Sequence, residues 1–149
     1  MRFWGRKKEE LPEKTAPKLR HRYKVGLALS GGGAKGIAHV GVIRAFEETG
    51  LDFDFVAGTS VGSLVGAAYC AGISWEKMAE FCRSVKEKEI RNSRSVFFPS
   101  ESRNIERLAY RLLGGKNFNE LKTPFACNAV NLATGEERIF TRGNLAKAI

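Results

Sequence analysis

Two glycine-rich turns carry the residues whose types and spacing suit chemistry. One turn reads Gly58-Thr59-Ser60-Val61-Gly62, which has the form G-x-S-x-G. This form is typical of a nucleophile elbow, a turn that exposes a serine hydroxyl at the end of a strand. The other turn reads Gly31-Gly32-Gly33-Ala34-Lys35-Gly36. A row of backbone N–H groups at a helix N-terminus stabilises a developing negative charge. Together the two turns predict an acyl hydrolase.

Each turn lies between a short apolar run and a helical pattern. We predict strands over residues 24–30 and 53–57, and helices over residues 35–49 and 61–71. The helix after Ser60 is apolar nearly all round, so we expect it to be buried against the sheet. Alternating strands and helices predict an α/β fold, with a mostly parallel sheet and helices on both faces.

The second half of the chain is predicted to add helices and a hairpin. Each element is bounded by a glycine, a proline or a polar cluster. The predicted elements are an amphipathic helix over 75–89, a loop over 91–100, a helix over 104–113, a hairpin of strands 124–132 and 136–141, and a last helix from Asn144.

Positive charge is concentrated at the start of the chain. The formal net charge is +9, and residues 1–24 hold nine Lys or Arg against three Glu. We therefore predict a flexible basic arm over residues 1–22 and a folded part over residues 23–149. The arm is a candidate for peripheral contact with an anionic membrane through residues 1–24, and the alternative is a solvated tail. We expect no nucleic-acid partner, because no basic surface with interleaved aromatic residues continues into the folded part.

The cysteine pattern and the first residues bear on location. The three cysteines, Cys70, Cys82 and Cys127, form no C-x-x-C pair, which favours a reduced compartment. The first 24 residues lack the apolar core of a secretory signal. The sequence therefore predicts a cytoplasmic protein, peripheral to the membrane if the arm binds lipid. It suggests neither a metal site nor a cofactor.

The first turn also matches the dinucleotide fingerprint G-x-G-x-x-G through Gly31, Gly33 and Gly36. A dinucleotide-binding domain needs an acidic residue at the end of the second strand to hold the ribose. The nearby acids, Asp52 and Asp54, lie at the start of that strand, at the wrong edge of the sheet. The dinucleotide alternative therefore lacks the acidic residue that it requires at the end of the second strand.

A serine nucleophile needs a base to take its proton, and the sequence offers few candidates for Ser60. The chain has two histidines, His21 in the arm and His39 in the helix after the glycine turn. A histidine at the second position is more often a packed or capping residue than a base, so a Ser-His-Asp triad has little support. The two aspartates, Asp52 and Asp54, lie on the entry side of the strand that leads to Ser60. We therefore expect no base for Ser60 within these 149 residues.

These segments resemble the patatin-like phospholipases, and in particular the small bacterial members. The segment Leu27–Gly36 resembles the oxyanion segment of that family, in which a basic residue occupies the position of Lys35. Gly58–Gly62 resembles its nucleophile elbow. The stretches Phe118–Leu121 and Asn131–Glu136 also resemble the family. The resemblance covers residues 24–149.

The resemblance implies a three-layer α/β/α sandwich and a lipid acyl hydrolase with a Ser-Asp dyad. Ser60 would be the nucleophile, on an elbow formed with Gly58, Thr59, Val61 and Gly62. The backbone of Gly31, Gly32, Gly33 and Ala34 would form the oxyanion hole. Lys35 would orient an anionic head group or the loop itself, with an exposed structural lysine as the alternative. The substrate would be a lipid or another ester, with no metal and no cofactor.

The sequence departs from the family pattern in one respect. The family aspartate lies in an Asp-Gly-Gly or Asp-Gly-Ala motif after the helix that begins here at Asn144, and this sequence contains no such motif. We therefore expect an N-terminal portion of a patatin-like domain, with the C-terminal part missing and weak or no activity alone. The alternative is a catalytically dead lipid-binding or membrane-binding remnant.

Overall fold

The computed structural model describes residues 23–85 and 99–149, without the side chains of residues 99–103. The predicted arm lies outside this part of the chain. The strands are β1 Gly26–Leu29, β2 Phe55–Thr59, β3 Phe125–Val130 and β4 Glu137–Phe140. The α-helices are α1 Ala38–Thr49, α2 Val61–Cys70, α3 Trp75–Ser84, α4 Pro99–Leu113 and α5 Leu145–Ala148. Short 3-10 helices cover Gly33–Ile37 and Phe118–Glu120.

The four strands form one mixed sheet in the order β1-β2-β3-β4. β1 pairs with β2 and β2 with β3 in parallel, whereas β3 and β4 form the predicted antiparallel hairpin. Leu29 is in register with Gly58, which is in register with Cys127. The carboxyl ends of the three parallel strands therefore lie at one edge of the sheet, called here the exit edge. Both glycine turns begin there.

One face of the sheet is covered by α2. Seven of the ten residues of α2 are buried, as its uniformly apolar sequence predicts. Gly66 of α2 lies so close to the sheet that a Cβ there would be 3.2 Å from Val56 and 3.0 Å from Phe125. Burial of this apolar area holds the helix on the sheet and fixes where its first turn lies.

The opposite face, called here the open face, carries exposed side chains of β1 and β2. They alternate with the buried ones along each strand, and they include Ala28, Phe55 and Ala57. A groove of about 1210 Å³ lies on this face, toward the strand ends opposite the exit edge. A second helical layer over the open face remains a prediction.

Two element boundaries differ from the predicted ones. β2 runs over Phe55–Thr59 rather than 53–57, because Asp54 instead uses its side chain and its backbone to bond with Val25. α4 begins at Pro99 within the predicted loop, since proline suits the first turn of a helix. Residues 91–98 of that loop, and 86–89 of the preceding predicted helix, lie outside the described residues. Gly50 ends α1 as predicted, with a left-handed φ of 70°.

The three cysteines are free thiols. Cys70 and Cys127 are buried, and loss of hydration raises the pKa of Cys70 to about 12 and that of Cys127 to about 11. Both are therefore neutral core residues at physiological pH. In the part of the chain that the structure describes, no helix is long and apolar enough to cross a membrane.

Candidate active site

Ser60 occupies a strained turn between β2 and α2. Its φ is 53° and its ψ is −125°, and it is the sole residue other than glycine with a positive φ among residues 23–85 and 99–149. It stands at the N-cap position of α2, yet its hydroxyl makes no capping hydrogen bond. The residue is exposed. A non-glycine residue held in this conformation is typical of a functional turn, since the strain must be offset by the surrounding structure.

The glycines on either side of Ser60 are required by close packing of backbone. A Cβ on Gly58 would overlap the carbonyl oxygen of Gly62 and lie 2.6 Å from Cα of Ser63. A Cβ on Gly62 would overlap the carbonyl oxygen of Leu29 and lie 2.6 Å from that of Ser30. The elbow is therefore pressed against the end of β1, and its shape is set by these contacts.

Ser63, in the first turn of α2, stabilises the elbow through two hydrogen bonds. The residue is 2% exposed, and its Oγ donates a hydrogen bond of 2.9 Å to the carbonyl oxygen of Gly58. Its backbone N–H donates to the carbonyl oxygen of Ser60 at 2.8 Å. Ser63 thus bonds both the first residue and the central serine of the elbow. The sequence analysis did not single out Ser63, although a serine three residues after the nucleophile, within an apolar helix, is a usable signal of a buried hydrogen bond.

The structure brings the first glycine turn to Ser60. A Cβ on Gly31 would lie 3.4 Å from Cβ of Ser60, which places Gly31 directly beside Ser60. Gly36 packs against the side chain of Val61, where a Cβ would lie 2.7 Å from Cγ2. The predicted oxyanion segment and the predicted elbow are therefore adjacent at the exit edge.

The middle of the first turn is open to solvent. All residues from Gly31 to Lys35, including Gly32 and Ala34, are exposed. Gly33 has a φ of 55°, and a Cβ there would meet no atom of the described residues within 4 Å. The N–H of Lys35 donates to the carbonyl oxygen of Gly32 at 3.2 Å. This bond closes the turn, and the Lys35 side chain is exposed.

His39 connects α1 to the end of β1. Its Nε2 lies 2.9 Å from the carbonyl oxygen of Ser30, the residue that precedes the glycine turn. Since a carbonyl oxygen only accepts hydrogen bonds, Nε2 carries the proton and donates. This contact is the packed role that the sequence analysis expected for His39.

The two aspartates lie at the opposite edge of the sheet. Asp54 precedes β2, and its carboxylate accepts a hydrogen bond of 2.7 Å from the backbone N–H of Val25. Its own N–H donates to the carbonyl oxygen of Val25 at 2.8 Å. Asp52 lies two residues earlier in the chain. Neither position is at the exit edge where Ser60 lies.

Two polar residues at the exit edge were missed by sequence reasoning. Asn128 of β3 is in register with Thr59, and its Nδ2 donates to Glu137 of β4 at 2.8 Å. Its Oδ1 is buried and has no hydrogen-bond partner among the described residues. Both line a shallow depression of about 390 Å³ with Ser30 and Thr59. The signal was available, since ligands bind at the carboxyl ends of parallel strands.

Metal-binding chemistry finds no support in this part of the chain. Within residues 23–85 and 99–149, no three His, Cys, Asp or Glu side chains are grouped so that they could hold an ion. The chemistry available at the exit edge is that of an exposed serine hydroxyl, backbone N–H groups and the N-terminus of a buried helix, which favours negative charge.

Comparison with known proteins gives consistent matches. The family model described as patatin-like phospholipase matches residues 27–149. Lysophospholipase NTE1 of Pyricularia oryzae is 37% identical over 131 residues, which cover 80% of this chain and 8% of that protein. The neuropathy target esterase sws of Drosophila persimilis is 29% identical over 128 residues, or 81% of this chain and 9% of that protein. The chain thus spans less than a tenth of the length of these relatives.

A solved structure agrees with the fold. The type III effector protein ExoU superposes with a TM-score of 0.52 at 15% sequence identity, over 79% of this chain and 36% of that one. At this identity the likeness concerns the fold alone. The family model covers both glycine turns, whereas Asp52 and Asp54 lie at the edge opposite to the one where the dinucleotide alternative needs an acidic residue. Because the model matches most of its length, the chain belongs to the patatin-like phospholipase family.

Proposed function

We propose that this domain hydrolyses acyl ester bonds of lipids, with Ser60 as the nucleophile. The observation that carries the proposal is the conformation of Ser60, held at a φ of 53° with an exposed side chain and no capping bond. The strain would keep the hydroxyl available, because a relaxed N-cap serine would turn its oxygen onto the backbone of its own helix.

The reaction would follow the usual course of acyl transfer through serine. Ser60 Oγ attacks the ester carbonyl while its proton passes to a base, and the carbonyl oxygen becomes an oxyanion. The oxyanion segment, defined as Gly31, Gly32, Gly33 and Ala34, would stabilise that charge with backbone N–H groups. Collapse of the intermediate expels the alcohol, which takes up the proton, and leaves an acyl-serine. Water then attacks the acyl-serine and releases the fatty acid.

Among residues 23–85 and 99–149, neither aspartate lies at the exit edge, where a base for Ser60 would be needed. The resemblance implies an aspartate, but the two aspartates of the sequence lie before β2, at the edge opposite Ser60. We therefore propose that the dyad aspartate comes from outside these 149 residues. The chain alone would be weakly active or inactive, since loss of the base costs such enzymes several orders of magnitude in rate.

The proposed substrate is a lipid ester. Two relatives carry the names lysophospholipase and esterase. Beside the elbow, the depression of about 390 Å³ is lined in part by Ala28, Ala57 and Ile139, which suit an acyl chain. The exposed Lys35 would meet an anionic head group. We propose further that the protein is cytoplasmic and that residues 1–24 contact an anionic membrane.

Labelling with a fluorophosphonate, read by intact mass, tests the nucleophile. Because the chain lacks the proposed base, labelling should be slow, but with long incubation the probe should add once to the parent chain and once to Ser30→Ala, which removes an exposed serine at the neighbouring turn. It should not add to Ser60→Ala. An adduct that persists in Ser60→Ala would refute the assignment of the nucleophile.

A non-catalytic lipid-binding domain is the second candidate, and the position of both aspartates away from Ser60 favours it. On a chain shown by circular dichroism to be folded, the absence of any adduct would support this candidate. Sedimentation with vesicles of anionic phospholipid would then test lipid binding, with neutral vesicles as the control.

A further inference from the structure

The contact between His39 and Ser30 has a geometry that suggests a role in holding the oxyanion segment. Ser30 is the last residue before the segment, and its carbonyl oxygen accepts the hydrogen bond from His39 Nε2 at 2.9 Å. The peptide group that provides this carbonyl also provides the N–H of Gly31. Any rotation of that peptide therefore turns the first N–H of the oxyanion segment.

The same carbonyl is confined from a second side. Gly62, in the first turn of α2, approaches it so closely that a Cβ on Gly62 would lie 2.6 Å from the oxygen of Ser30. Gly31 in turn lies beside Ser60, at 3.4 Å between a Cβ built on Gly31 and Cβ of Ser60. The Ser30–Gly31 peptide is thus located between α1, α2 and the nucleophile.

Within residues 23–85 and 99–149, few other contacts restrain the segment. Its residues are exposed, and no described atom lies within 4 Å of a Cβ built on Gly33. Glycines also have more conformational freedom than other residues, so fixing them requires outside restraints. The imidazole of His39 is rigid apart from two side-chain torsions and spans the nine positions from residue 39 back to residue 30. It is well suited to provide such a restraint.

From these contacts we infer that His39 is a positioning residue for the oxyanion segment, acting through the Ser30–Gly31 peptide. This inference rests on the proposed function of that segment. His39 acts by donating from Nε2, so Nε2 has no lone pair with which to accept the proton of Ser60. Its role is therefore distinct from that of a catalytic base.

Two substitutions of His39 distinguish the effect of its hydrogen bond from the effect of the size of its ring. His39→Leu removes the donor. His39→Gln retains an amide N–H close to the position of Nε2 and should restore the bond. Thr49→Val is the matched control, because Thr49 also donates from its side chain to backbone carbonyls of α1, those of Ala45 and Phe46, but at the far end of the helix.

Backbone order parameters from ¹⁵N NMR relaxation provide a readout that does not depend on the reactivity of Ser60. We expect Gly31–Gly33 to be ordered in the parent chain, in His39→Gln and in Thr49→Val, with values of about 0.85. In His39→Leu the values should fall below about 0.6 while the melting temperature of the rest of the fold is retained. Ring ¹⁵N shifts should report the Nε2–H tautomer in the parent.

The fluorophosphonate labelling rate provides the second readout. His39→Leu should label at least about tenfold more slowly than the parent, because misplacing one oxyanion donor costs part of the roughly hundredfold effect of deleting it. His39→Gln should recover most of the rate. Unchanged order parameters in His39→Leu, or a His39→Gln variant as disordered as His39→Leu, would overturn the inference. A parent chain that does not label would count against the proposed function alone, since the order parameters still decide the role of His39.

Discussion

The two glycine turns at the exit edge have similar sequences but are held in different ways. In the elbow at residues 58–62, Ser60 is exposed, but Gly58 and Gly62 are packed so closely that neither has room for a methyl group. The turn at residues 31–36 is exposed from Gly31 to Lys35, and Gly33 has open space around it. Glycine is needed in the elbow for close approach, whereas at Gly33 it is needed for a positive φ of 55°.

This difference separates two requirements of the proposed mechanism. Ser60, the proposed nucleophile, is held in a strained conformation, and the strain is offset by the burial of α2 against the sheet. The oxyanion donors need only the right direction, which a few hydrogen bonds can provide. We therefore expect changes in the elbow to affect stability first, and changes in the first turn to affect reactivity first.

The largest effect is expected for Gly62→Ala. The new methyl group would overlap the carbonyl oxygen of Leu29, and backbone on both sides cannot move without disturbing the sheet. We expect the free energy of unfolding to fall by about 3 kcal/mol or more, measured by urea unfolding. Gly41→Ala is the control, because Gly41 lies exposed in α1 with nothing within 4 Å of a Cβ. That change should stabilise the chain by about 0.5–1 kcal/mol. If Gly62→Ala left the free energy of unfolding unchanged, the close packing of Gly62 against β1 would be contradicted.

An intermediate effect is expected for Ser63→Ala. The change removes a buried hydrogen bond and leaves the carbonyl oxygen of Gly58 without that donor. We expect a loss of about 1–2 kcal/mol in the free energy of unfolding. Ser84→Ala removes two exposed hydrogen bonds, one donated to the carbonyl oxygen of Phe81 at 2.7 Å and one accepted from Arg111 at 3.5 Å, and should cost less than about 0.5 kcal/mol. If urea titration gave the same loss in the free energy of unfolding for both variants, the burial of the Ser63 hydrogen bond would contribute nothing to stability.

The smallest effect on stability is expected for Gly33→Ala. The methyl group meets no neighbour, so the cost is that of a left-handed φ, about 1 kcal/mol. The labelling rate should nevertheless fall by about tenfold, because the backbone of an oxyanion donor is disturbed. Thermal melting and the fluorophosphonate rate measure the two effects separately. A loss of stability as large as that of Gly62→Ala, with reactivity retained, would remove the distinction between the turns.

Local patterns in the sequence predicted most of the fold. The α/β class, the parallel strands, the buried helix after Ser60 and the hairpin are confirmed. These features follow from apolar periodicity and turn residues, which act over a few positions. The boundary of β2 was wrong by two residues because a contact between Asp54 and Val25, 29 positions apart, decides where the strand begins.

The sequence by itself determined the two turns, the helix behind the serine and the family to which the chain belongs. The tertiary structure alone decided which residues meet at the exit edge. The register of the parallel strands places Asn128 beside Thr59 and the end of β1 against Gly62. The packing of α1 places His39 on the carbonyl oxygen of Ser30. Such contacts depend on how strands and helices far apart in the chain align, which no pattern of neighbouring residues encodes.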